Sequence, residues 1–189
     1  MKFNEHWNLR GQHAFLSPSD PSWLHYDAEK LVKKRKAELA KQEGTELHEL
    51  AERLIKKKRR LPEGGDYFDE YVNDAIGFRM EPEVILYYSK LCFGCADTIK
   101  FDEKYKILRV HDLKTGATKP HHEQLETYCA LYCLEYDVRP SDIEFECRIY
   151  QKNKPIDIWH PGSDIIFPIM NTIVSDDRYL RDVLEEERR

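Results

Sequence analysis

"FGCADTIKFDEKYKILRVHDLKTG", residues 93–116, holds two runs rich in Ile, Leu, Val and Phe on either side of residues 102–105. This is the pattern of a β-hairpin. Side chains alternate faces along a strand, so Asp112 and Lys114 share a face with Leu108 and Val110. An acid and a lysine on a buried face are costly unless something pairs them. A four-residue turn over 102–105 pairs Phe101 with Lys106 and Asp97 with Val110, which sets Asp97 diagonally from Asp112 on one face. Diagonal neighbours stand about 7 Å apart or less, within reach of one shared ion. A turn of odd length would move Asp97 to the opposite face. Two carboxylates on one sheet face require a cation, and oxygen donors suit Mg²⁺ or Mn²⁺. A lysine two residues on can orient a water or stabilise charge on a phosphate. For an isolated D-x-K the plainer reading is a solvent-facing surface pair.

The flanking sequence sets this hairpin in a mixed architecture. "DAEKLVKKRKAELAKQE", 27–43, is helical in composition, Gly44 interrupts it, and Thr45 is placed to cap a second helix, "TELHELAERLIKKKRR". In that helix Leu47, Leu50, Ala51, Leu54 and Ile55 follow amphipathic spacing, and His48 sits at the border of the apolar stripe. From about 67 to 115 the pattern reads as strands. "KPHHEQLETYCALYCLEY" reads as a helix with Pro120 near its first turn and with Gln124 and Tyr128 on one face. "DIEFECRIYQKNKPIDIWH" reads as a second hairpin, and the remainder as two short helices. The expected fold is α/β, a central mixed β-sheet flanked by helices, in one domain over 1–189. Residues 1–66 form its mainly helical N-terminal part, 67–160 the sheet core and 161–189 the C-terminal helices.

Composition narrows the function. The chain has 189 residues, and a 41% hydrophobic fraction is enough for a core. Residues 30–60 hold twelve Lys or Arg against five Glu, a local +7 on a chain of net −5, so the remainder carries −12. The chain as a whole is therefore not a basic DNA-coating protein. Lys33, Lys34, Arg35 and Lys36, with Lys56, Lys57, Lys58, Arg59 and Arg60, nevertheless suit an electrostatic track for a polyanion. The plainer reading is two solvated helix faces. No apolar run approaches 18 residues and no signal-type segment opens the chain, so no membrane contact is expected. Five cysteines, an odd number, suggest reduced thiols and a cytoplasmic setting.

"GCAD" (Gly94 to Asp97), "HDLKTG" (His111 to Gly116) and "QLETY" (Gln124 to Tyr128) follow one another in order, after "GTELH" (Gly44 to His48). Together they resemble the PD-(D/E)XK nuclease superfamily, and within it the RecB-like exonuclease branch that includes the CRISPR-associated adaptation nucleases. The resemblance covers about residues 44–136. It implies a restriction-endonuclease-like core and metal-dependent hydrolysis of phosphodiester bonds in DNA, as an exonuclease of recombination, repair or replication. It implies His48, Asp97, Asp112 and the backbone carbonyl of Leu113 as ligands of Mg²⁺ or Mn²⁺. Lys114 is the implied catalytic lysine, and Gln124 and Tyr128 brace it and the substrate phosphate. Glu83 reads as a solvent-exposed strand end, with a supporting place behind the ligands as the other reading. The expected partner is DNA, bound without sequence preference at ends or single strands, together with a recombination or replication protein. No phosphate-binding G-x-x-x-x-G-K-[S/T] segment exists, so no nucleotide cofactor is expected. Some relatives bind an iron–sulfur cluster through one early and three late cysteines. Here no cysteine precedes Cys92 or follows Cys147, so no cluster is expected. The alternatives are a catalytically inactive DNA- or partner-binding module on the same fold, and an unrelated α/β protein.

Overall fold

The computed structural model describes residues 7–9, 11, 14–116 and 120–186. The outermost residues of the expected N- and C-terminal parts, 1–6 and 187–189, lie outside these. The chain divides into two compact units, residues 1–43 and 44–189. The first holds short 3-10 turns at Trp7–Leu9 and Pro21–His25 and the start of helix α1, Ala28–Lys56, whose residues from Gly44 on belong to the second. The Asp27 carboxylate accepts the Lys30 amide at 2.7 Å and so caps α1. Gly44 does not interrupt this helix, contrary to the sequence reading, because a glycine costs a helix interior only about 1 kcal/mol.

The second unit is built on five strands in the order β1-β2-β3-β4-β5: Glu81–Ser89, Cys92–Asp102, Ile107–Lys114, Glu144–Gln151 and Asp157–Trp159. All neighbours are antiparallel except β3 and β4, which are parallel. Parallel neighbours need a crossover, and α3, Glu123–Glu135, supplies it. The molecule is thus α/β with a five-strand mixed sheet flanked by helices.

Each face of the sheet carries its own core. On one, Leu108, Val110, Cys147 and Ile149 meet Leu125, Cys129 and Cys133 of α3 and Ile166 of α4, Ser163–Glu186. On the other, Leu113 and Tyr150 meet Ala51 and Ile55 of α1 and Tyr71, Val72 and Ala75 of α2, Tyr67–Gly77. Helix α2 falls where the sequence reads as strand. Asp66 caps it, its carboxylate accepting the amides of Phe68 and Asp69. The C-terminal region is one helix rather than two. Pro168 stands in its second turn, and Ile166, Ile169, Met170 and Ile173 hold that helix on the core through the proline. Among the described residues, no helix is long and apolar enough to cross a membrane.

Candidate functional site

Strands β2 and β3 form a fork. Their ladder runs from Asp102↔Ile107 to Thr98↔His111 and stops there, although β3 continues to Lys114. Asp97 and Asp112 are the first residues past the last pair, one on each prong. The expected register is corrected here: Val110 pairs with Ile99, not with Asp97. The cause lies in the turn. The Asp102 carboxylate accepts the amides of Lys104 and Tyr105, which makes Asp102 the residue before the turn and shifts the turn to residues 103–106. Lys106 takes the left-handed backbone that closes it.

Beyond the last pair the Asp97 carboxylate takes over from the backbone ladder. Its Oδ2 accepts the Leu113 amide at 2.9 Å and lies 3.5 Å from His48 Nδ1. In an extended strand a residue's N–H and C=O point the same way, so the Leu113 carbonyl also turns toward the fork. The buried Asp112 accepts from Lys114 Nζ through Oδ1 at 3.0 Å. Lys114 Nζ also donates to Gln124 Oε1 at 2.8 Å. The fold therefore brings His48, Asp97, Asp112, Lys114 and Gln124 together. Tyr128 hydrogen-bonds Gln124, and its hydroxyl donates to the Cys95 carbonyl at 2.6 Å and so grips β2 just ahead of Asp97.

The glycines of the motifs have packing reasons. A Cβ on Gly44 would stand 2.7 Å from Thr115 Oγ1, so a glycine there lets α1 lie against the end of β3 one turn before His48. A Cβ on Gly94 would stand 2.9 Å from the Tyr128 ring. Both glycines admit a neighbour that sets a site residue.

Glu83 is exposed near the start of β1, as the sequence reading has it, and it also joins the same cluster. One donor atom each from His48, Glu83 and Asp97 lie within 4.8 Å of one another. Glu83 breaks the β1–β2 pairing between Pro82↔Thr98 and Val84↔Ala96, and its φ of 54° is left-handed. Such a backbone costs about 1–2 kcal/mol for a residue with a side chain, and strain of this kind gathers at functional sites. The signal was in the sequence: Glu83 and Asp97 are equidistant from Lys90 at the hairpin tip, so they face each other across the two strands.

The cluster carries an excess of negative charge, with Asp112 buried, Asp97 and His48 half-buried and Glu83 exposed. Burial, then the neighbouring Asp112 carboxylate, pushes Asp97 up to about 6, against the partial relief of His48 and the Leu113 amide. Burial also raises Asp112, while Lys114 and His48 act to lower it. Burial and the Glu83 hydrogen bond push the Cys95 thiol up to about 11, so this sulfur is a neutral neighbour at pH 7. The buried Asp112 Oδ2 has no hydrogen-bond partner among the described residues. His48, Glu83 and Asp97 offer donors of the kind a hard divalent cation takes, and the orphaned Asp112 oxygen lies on the neighbouring prong outside their 4.8 Å group.

The basic residues are spread along α1 and past its end. Lys33, Lys34 and Lys36 are exposed in the first unit, and Arg35 pairs with Glu38 and covers the Phe15 ring. In the second unit Lys56 pairs with Glu52, and Lys57, Lys58, Arg59 and Arg60 are exposed. Lys56 and Lys58 line a cleft with Arg79, a cation the sequence reading did not single out, and with Pro82 and Val84 on either side of Glu83. Comparison of the chain with family models, with curated proteins and with solved structures finds no match.

Proposed function

We propose that this protein is a divalent-metal-dependent deoxyribonuclease of the PD-(D/E)XK type, acting as an exonuclease. The observation that carries the reading is the convergence of His48, Asp97 and Asp112 at the β2–β3 fork with Lys114 held between Asp112 and Gln124. His48, Glu83, Asp97, Asp112 and the Leu113 carbonyl would hold the metal, with Mg²⁺ or Mn²⁺ as the ions that suit them. Such an ion acts as a Lewis acid toward a phosphate and lowers the pKa of water. Lys114 contributes a fixed positive charge beside the scissile phosphate and stabilises the charge that builds on it. Gln124 and Asp112 hold that ammonium in place. Tyr128 fixes the β2 prong. The cations at the end of α1 attract the DNA backbone without reading its sequence.

Digestion of end-labelled linear DNA in Mn²⁺, with a covalently closed circle as control, tests this. The expected result is label released from the linear form, an intact circle, and no release in EDTA. Asp112→Ala and Lys114→Ala should each abolish release while leaving the unfolding transition in place. Linear single- and double-stranded ends that both stay intact in Mn²⁺ would remove the catalytic claim. DNA retained in a shift assay without cleavage would leave a binding module.

A further inference from the structure

Past Glu83 and Asp97 the outer arm of the β1–β2 hairpin is covered on one face only. Val84, Leu86, Tyr88 and Ala96 pack into the core. On the other face Ile85 is 62% exposed, Tyr87 46% and Phe93 60%. Tyr87 and Phe93 are register partners, and their rings stack with centroids 6.4 Å apart at 30°. Ile85 pairs with Cys95, and the Cys95 thiol reaches Glu83. The face therefore runs from the ring pair through Ile85 and Cys95 into the His48–Glu83–Asp97 cluster. Four residues separate Tyr87 from Glu83, about 13 Å along a strand. On the other flank of Glu83 lies the cleft of Lys56, Lys58 and Arg79. Acids and aromatic rings thus share one face of β1, and the cations reach the same strand at Pro82 and Val84.

A contiguous exposed apolar face marks a contact surface. Its continuity with the acid cluster and the cationic cleft beyond select its occupant. A single nucleic-acid strand offers phosphates to cations and unpaired bases to flat rings, and base–aromatic stacking is indifferent to sequence. A duplex keeps its bases stacked inside. We propose that the Ile85–Tyr87–Phe93 face is a base-stacking subsite for a single DNA strand whose backbone crosses the acid cluster. This inference rests on the nuclease reading and adds the place on the β1–β2 hairpin where the bases of its substrate rest.

The test is fluorescence anisotropy with a labelled thymidine oligonucleotide and with the corresponding duplex, in Mn²⁺, using the full chain carrying Asp112→Asn to prevent cleavage. Tyr87→Leu and Phe93→Leu keep the apolar bulk and remove the flat ring. Each should weaken single-strand binding about tenfold, change duplex binding less than about twofold, and leave the salt dependence unaltered because no phosphate contact is lost. Tyr87→Phe should bind like the parent. Single-strand binding undiminished in the Leu variants, or equal losses for single strand and duplex, would overturn the subsite and point to a protein partner for this face. A loss in Tyr87→Phe equal to that in Tyr87→Leu would overturn it too, since the hydroxyl and not the ring would then matter. If the wild type releases label from linear DNA while the Leu variants bind unchanged, only the stacking subsite falls. If the parent binds neither form and the wild type releases no label, both readings fall.

Discussion

At the scale of single residues, the site combines groups that are costly alone. The native state raises Asp97 to about 6, whereas an unfolded aspartate titrates near 3.9. Between those values the metal-free native state binds more protons than the unfolded chain, so its stability falls as pH rises through that window. Asp97→Asn keeps an oxygen to accept the Leu113 amide and removes the charge. The metal-free variant should gain about 3 kcal/mol at pH 7 and lose that slope between pH 4 and 6, as read by urea unfolding across pH. Equal slopes in variant and wild type would show that Asp97 is not strained by its neighbours. Mn²⁺ affinity should fall below about pH 6, where protons compete for the same carboxylates. A second residue-scale expectation concerns Gly94. Gly94→Ala forces the Tyr128 ring aside, which should cost about 1–3 kcal/mol of stability and loosen the grip on Cys95. An unchanged unfolding midpoint would show that the ring moves freely. The D-x-K pair, the G-x-x-D and the histidine were legible in the sequence because their spacing is local. Glu83 was harder to place, because facing Asp97 depends on the β1–β2 turn centring at Lys90, seven residues from each, and its left-handed backbone has no residue-type signature.

At the scale of elements, strand order in the hairpins was legible and the helices less so. Helix α2 carries Phe68, Tyr71, Val72 and Ala75 at helical spacing after an Asp cap, yet Tyr, Val and Phe also favour strands. Tertiary packing on Leu113 and Tyr150 decides for the helix, and Asp74 adds to it by accepting the Tyr150 hydroxyl and pairing with Arg148 of β4. Removing the cap with Asp66→Ala should cost about 1 kcal/mol, measured by urea unfolding. No loss would mean that packing alone sets the helix start. The β2–β3 register was misread by two residues because Asp102 caps the turn from the end of β2 instead of lying within it. Parity survived the slip, so the sequence still placed the two aspartates near each other. Pro168 reads as a helix end in sequence, and only the apolar contacts of Ile169, Met170 and Ile173 carry α4 past it.

At the scale of the second unit, one sheet separates two cores, and the fork at its β2–β3 end opens to both layers. His48 enters from the α1 side and Lys114 is held from the α3 side through Gln124. The acids lie where the ladder ends, so a cation there would bind without breaking a backbone pair. The account depends on that cation. The most direct measurement is anomalous diffraction from crystals of the protein grown with Mn²⁺. The predicted result is a peak in the fork at about 2.1 Å from oxygens of Asp97 and Asp112 and a nitrogen of His48, with Glu83 turned toward it. A fork without such a peak at saturating Mn²⁺, or a peak held by other residues, would contradict the account.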